Sequence, residues 1–94
     1  MVEMMVHTLV KDAANNMVVV LKERDGRRAL PIVIGPAEAQ AIWWELKQEK
    51  PPRPLTHDLM CKVFEELEVQ LTRVVVHDLR DEIYYALLVL LNEG

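Results

Sequence analysis

The segment Leu30-Pro31-Ile32-Val33-Ile34-Gly35-Pro36-Ala37-Glu38-Ala39-Gln40-Ala41-Ile42 changes its hydrophobic period in the middle. Its first part is short, apolar and rich in β-branched residues, which reads as a strand spanning Ala29 to Ile34. Pro31 donates no ladder hydrogen bond, so this strand is expected at a sheet edge or with a bulge. Gly35-Pro36 then ends the strand and opens a helix. Pro36 suits the first helical position, where its missing N–H costs nothing. Beyond it Ala39, Ile42, Trp43 and Leu46 recur at i, i+3, i+4 and i+7, a core stripe. Ala37, Ala41 and Trp44 form a second apolar stripe beside the first, more than one packed face needs.

Upstream, Val2 to Val10 alternates and reads as a strand, followed by a turn over Asp12 to Asn16 in which Asn15-Asn16 suits positive φ. Met17 to Leu21 is too short for a helix and reads as a largely buried strand. Asp25-Gly26 marks a hairpin between it and the next strand. Downstream, Pro51-Pro52-Arg53-Pro54 stops the first helix and makes a stiff connector. Thr56 is expected as the N-cap of a second helix, with Leu55 and Met60 as its hydrophobic staple and Asp58 in its first turn. Leu59, Met60, Val63, Phe64 and Leu67 would form its apolar stripe. Val69 to Val76 and Ile83 to Leu91 read as strands joined by a turn around Asp78 to Asp81. The last strand is apolar on both faces, so it should lie centrally in a sheet or in a subunit interface. The expected fold is α+β, in the order βββααββ, with a mainly antiparallel or mixed sheet and two helices packed on it.

With 94 residues, 51% of them hydrophobic and 28% charged, the chain reads as one globular domain over 1–94. It has no serine, which excludes serine-nucleophile chemistry, and its single cysteine, Cys61, excludes an internal disulfide framework or a zinc ribbon. The longest apolar run, Ile83 to Leu91, is far short of the roughly 20 residues of a membrane-spanning helix. No signal-peptide pattern is seen, and a reducing cytoplasm is the simplest setting. The net charge of −4 does not suit a general nucleic-acid binder. The charge is uneven, however. Residues 1–34 carry five Lys/Arg against four Asp/Glu, and Arg24, Arg27 and Arg28 cluster there, either as a solvated hairpin tip or as a phosphate-contacting patch.

Few ionisable residues suggest chemistry. Glu38 is either a helix-start carboxylate favoured by the dipole or a metal ligand or general base at a strand-to-helix junction. His57-Asp58 opens the second helix and His77-Asp78 follows the fourth strand, but an adjacent His-Asp pair is weak as a metal motif. A cationic His57 would oppose the helix dipole, which leaves a neutral, hydrogen-bonded imidazole or a site role. Arg53, held between prolines, offers a guanidinium fork to a carboxylate that locks the helices or to a phosphate. Cys61 reads as a packing thiol more readily than as a nucleophile. Trp43 is expected in the core and Trp44 in a partner interface.

Leu30-Pro-Ile-Val-Ile-Gly-Pro-Ala-Glu38, followed by Arg53-Pro-Leu-Thr-His-Asp58 and then by Val74-Val-Val-His-Asp-Leu-Arg-Asp-Glu-Ile-Tyr-Tyr-Ala-Leu-Leu88, resembles the bifunctional nuclease domain family (domain of unknown function 151). The L-P-I-x-I-G and R-P-x-T-H-D elements come in the family's order, and the resemblance covers essentially the whole chain. It implies an α+β domain, often a homodimer, and for some plant members DNase and RNase activity. The family's shared positions fall on Gly35, Glu38, Arg53, Thr56, His57 and Asp58. Family chains continue past the last strand with an acidic stretch, a strand and a helix bearing an R-P-S-D-A-like motif. This sequence ends at Gly94, so it is expected to be a shortened or minimal member, and a site needing that Arg or Asp would be incomplete.

Two functions follow as expectations. The first is a metal-assisted nuclease acting on DNA or RNA. In it Glu38 and Asp58 hold Mg²⁺ or Mn²⁺, His57 serves as general base or water-positioning group, and Arg53 binds the scissile phosphate. The second is a non-catalytic binding or assembly domain that forms a homo-oligomer, a dimer, through Trp44 and the C-terminal strand.

Overall fold

The computed structural model describes residues 1–93. It has the expected α+β class and order: β1 (Met5–Lys11), β2 (Met17–Lys22), β3 (Ala29–Ile34), α1 (Pro36–Leu46), α2 (Thr56–Glu66), β4 (Val69–Arg80) and β5 (Ile83–Asn92). Two compact units meet in sequence inside the proline-rich connector, one comprising Met1–Arg53 and the other beginning at Pro54. All strand pairs are antiparallel.

The first unit is a three-stranded sheet in the order β1-β2-β3 with α1 packed on β1 and β2. Its centre is the valine run of β2, where Val18 is 7% and Val19 5% exposed. Neighbouring strand residues point to opposite faces, so both faces of β2 are covered. A fully buried valine stabilises by roughly 1.5–3 kcal/mol, which makes this pair the main apolar contribution of the unit. Ala39, 4% exposed, is the buried residue of α1. Pro31 lies opposite Val20 on the edge strand β3, where its missing N–H breaks no ladder.

β1 starts at Met5 rather than Val2, because its partner β2 runs only to Lys22 opposite Met5. His7 occupies a register shift between Val6 and Thr8, a bulge that the even alternation of the sequence concealed. The β1–β2 turn forms as expected, with Asn15 at φ 67. Asp12 organises it: Oδ1 accepts the backbone N–H groups of Ala14 and Asn16, each at 2.9 Å, and Oδ2 accepts the Asn16 side-chain amide at 3.3 Å. The Asn16 N–H chiefly, then its amide and the Ala14 N–H, hold the Asp12 carboxyl below the usual carboxylate range. The β2–β3 hairpin closes through Glu23 N–H to Arg28 C=O at 3.1 Å and Gly26 N–H to Glu23 C=O at 3.0 Å. Gly26 takes φ 74, the left-handed conformation that a glycine adopts without penalty.

In the second unit α2 packs on β4 of a two-stranded β4–β5 sheet. The fourth strand continues to Arg80, past the expected end at Val76. A bulge at His77 lets pairing resume at Asp78 opposite Tyr85. The turn is therefore the residue pair Asp81-Glu82, at φ 49 and 64, the type I′ signature. β5 pairs with β4 alone among the described residues, so the expectation of a central strand is not met. Leu87 and Leu88, neighbours on opposite faces, are 56% and 48% exposed.

The stripe of α2 is also open. Leu59 and Leu67 are each 62% exposed, and only Phe64 is half-buried among its five members. The N-cap is Leu55 rather than Thr56, which shifts the expected Leu55–Met60 staple out of position. Both helices end in a left-handed residue that is not glycine, Gln48 at φ 56 and Glu68 at φ 55. After α1 the Glu49 N–H reaches the Trp44 C=O at 3.1 Å and the Gln48 N–H the Glu45 C=O at 3.0 Å, a Schellman closure. No helix among the described residues is long and apolar enough to cross a membrane.

Candidate functional site

Glu38 and Asp58 hold the same position in two different helices, the third residue of each. Asp58 Oδ2 accepts the Leu55 N–H at 2.7 Å and so satisfies one of the orphan donors of the α2 start. The Glu38 carboxylate also lies back against Gly35. A Cβ built on Gly35 would collide with Glu38 Oε2 and stand 3.4 Å from Cδ. A negative charge at either position is also favoured by the helix dipole. Both residues remain exposed, so each carboxylate keeps oxygen lone pairs facing solvent.

His57, the second residue of α2, is exposed. Arg53, exposed in the proline connector, makes no ion pair within its own unit. Thr56 sits inside the first turn of α2 rather than capping it. Among the described residues, within neither unit do three His, Cys, Asp or Glu side chains gather as a ligand set. Oxygen donors of the Glu38 and Asp58 kind still suit Mg²⁺ or Mn²⁺, because Mg²⁺ is usually held by one or two carboxylates together with substrate phosphates.

The second His-Asp pair is absorbed by structure. Asp78 is half-buried, accepts the Leu79 N–H at 2.8 Å and pairs with Arg80 Nε at 2.7 Å. Arg80 in turn lies 4.5 Å from the Tyr85 ring centroid. Cys61 is exposed, which corrects its expected packing role. Trp43, expected in the core, is the more open of the two tryptophans. Trp43 is 42% exposed with Lys47 Nζ 5.2 Å above its ring, whereas Trp44 is half-buried. Their rings meet edge-on at 5.1 Å.

Of the basic cluster, Arg28 is tied to Glu23 at 2.7 Å and Arg27 lies 3.6 Å from Asp25. Two residues absent from the expected cluster, His7 and Lys22, line a pocket with Arg24 at this hairpin tip. The strand pairing that sets Met5 opposite Lys22 brings them there, and no local motif signals it.

The strand-to-helix junction with its N3 glutamate and the Arg53-Pro-Leu-Thr-His-Asp58 helix start belong to an α+β chain. The bifunctional nuclease domain model matches residues 19–94, and the chain belongs to that family. It is similar to uncharacterised proteins of two Mycobacterium tuberculosis strains, CDC 1551 / Oshkosh and ATCC 25618 / H37Rv. Each is 43% identical over 77 residues, which is 82% of this chain and 47% of the relative. The chain thus spans about half the length of the curated relatives it matches.

Proposed function

We propose that the chain acts on DNA or RNA as a metal-assisted phosphodiester hydrolase. The observation that carries this is the family match over 19–94, which includes Glu38, Arg53, His57 and Asp58, all of them exposed. Glu38 and Asp58 are the proposed oxygen ligands. Mg²⁺ or Mn²⁺, when bound, neutralises phosphate charge and lowers the pKa of coordinated water. Arg53 holds the non-bridging phosphate oxygens with its guanidinium fork. His57 takes the proton of the attacking water as its oxygen joins phosphorus and the P–O ester bond breaks, the bond's electron pair leaving with the sugar oxygen, which takes a proton from solvent. The test is hydrolysis of single-stranded DNA and RNA with and without chelator. The reading predicts metal dependence and at least ~100-fold loss in His57→Ala and Glu38→Ala. Hydrolysis indifferent to chelator and to both substitutions overturns it, as does an inactive folded wild-type chain. The same proposal sets the chain in the reducing cytoplasm, where the exposed Cys61 stays a thiol.

A second reading is favoured by the apolar residues exposed on both faces of β5. In it the chain is a non-catalytic assembly domain, a homodimer built through Trp44 and β5, since an open two-sided apolar strand is a pairing template. Light scattering at micromolar concentration should give a dimer. A monodisperse monomer overturns it.

A further inference from the structure

We propose that the tip of the β2–β3 hairpin, together with the His7 bulge of β1, contacts the sugar-phosphate backbone of single-stranded nucleic acid. This rests on the nucleic-acid reading above but assigns a surface apart from Glu38, Arg53, His57 and Asp58. A pocket of about 300 Å³ lies between the start of β1 and the hairpin tip, within the first unit. Its two acids are already engaged: Glu23 by Arg28 at 2.7 Å, with an additional Nε–H hydrogen bond at 3.0 Å, and Asp25 by Arg27 at 3.6 Å. Lys22 and Arg24 line the same pocket and have no acidic partner among the described residues. The local field is therefore positive in a chain of net charge −4.

Gly26 lines this pocket beside Lys22. The Lys22 ammonium lies over it, and a Cβ added there would stand 3.6 Å from Lys22 Cε and 4.0 Å from Nζ. His7 completes the polar wall, because the bulge removes it from the regular ladder. Met5 and Val6, about half exposed, supply apolar surface beside the cations. Cations next to small apolar surface fit a phosphate with its sugar. No Phe, Tyr or Trp lines the pocket, so the His7 imidazole is its one ring for stacking, and the cations dominate the contact. The contact is accordingly independent of base sequence and sensitive to salt.

The test is fluorescence anisotropy of a labelled oligodeoxythymidine in chelator, in a His57→Ala background, so that binding is read without turnover. Wild-type hairpin residues should bind, and Lys22→Gln/Arg24→Gln should weaken binding about fivefold or more. The slope of log affinity against log salt should flatten by about 0.7 for each cation removed. Arg24→Gln alone, in an exposed loop outside the ladder, provides the variant if the double one misfolds. An unchanged affinity and slope overturns the proposal even if the wild-type chain hydrolyses nucleic acid. Absence of binding by the parent chain overturns it as well. Binding that depends on Lys22 and Arg24 supports it even if no hydrolysis is found, so the two readings fail separately.

Discussion

The carboxylate of Asp58 closes the first turn of α2 by accepting the Leu55 N–H at 2.7 Å. A residue proposed as a metal ligand thus has a structural task, and substitution can separate the two. Asp58→Ala should cost about 1 kcal/mol, the usual loss on removing a helix cap. Asp58→Asn keeps an acceptor oxygen and should retain most of that stability while losing the charge a cation needs. Urea denaturation beside the hydrolysis assay checks this. Activity that falls only in proportion to stability in both variants would reduce Asp58 to a cap.

Gly35 and Glu38 form a second separable pair. Gly35 has φ −74, so alanine meets no backbone penalty there and need only displace the flexible Glu38 carboxylate. Gly35→Ala should change stability by less than ~0.5 kcal/mol, as for a mild surface substitution. Its hydrolysis should nevertheless fall toward that of Glu38→Ala, and the double variant should be no worse than Glu38→Ala alone. Additive losses in rate would show that the two residues act independently.

Asp12 predicts a pH dependence with a definite sign. Its folded-state pKa is lowered, first by the Asn16 backbone N–H. The resulting stabilisation is present above the carboxyl's unfolded pKa and is lost as pH falls through the depressed folded value. The stability gap between wild type and Asp12→Ala should therefore hold constant near neutrality and shrink in acid. Urea denaturation across that range measures it. An NMR titration should place the Asp12 midpoint below that of an unstructured peptide.

Gln48, Glu68 and Glu82 occupy left-handed conformations at φ 56, 55 and 64. A side chain there costs roughly 1–2 kcal/mol that glycine does not incur, partly offset by the greater freedom of glycine in the unfolded chain. Each substitution to glycine should raise stability by about 0.5–1 kcal/mol. Gly26→Ala, at φ 74, should do the opposite by about 1 kcal/mol. Differential scanning calorimetry of the four variants tests the set.

Elements whose cause is local were legible from the residues alone. Gly35-Pro36 ends β3 and starts α1, and the valine run over Val18 and Val19 is buried as its lack of polar residues implies. The family resemblance was legible for the same reason, since its motifs are short and contiguous. Several features that local pattern does not carry are set by a partner strand. The His7 bulge, the start of β1 at Met5 and the extension of β4 to Arg80 all depend on register. The α2 cap moved to Leu55 because Asp58, rather than the Thr56 hydroxyl, supplies the acceptor for an end-turn N–H.

Class, element order and the residues to suspect follow from periodicity, turn chemistry and motif spacing, which act over a few residues. The folded structure sets which of those residues already have work. It gives Asp58 to Leu55 and Asp78 to Arg80, leaves Trp43 more open than Trp44, and joins His7 to Lys22 and Arg24 at one pocket. Those outcomes depend on which backbone groups and side chains meet across strands and turns, and distance along the chain does not carry that information.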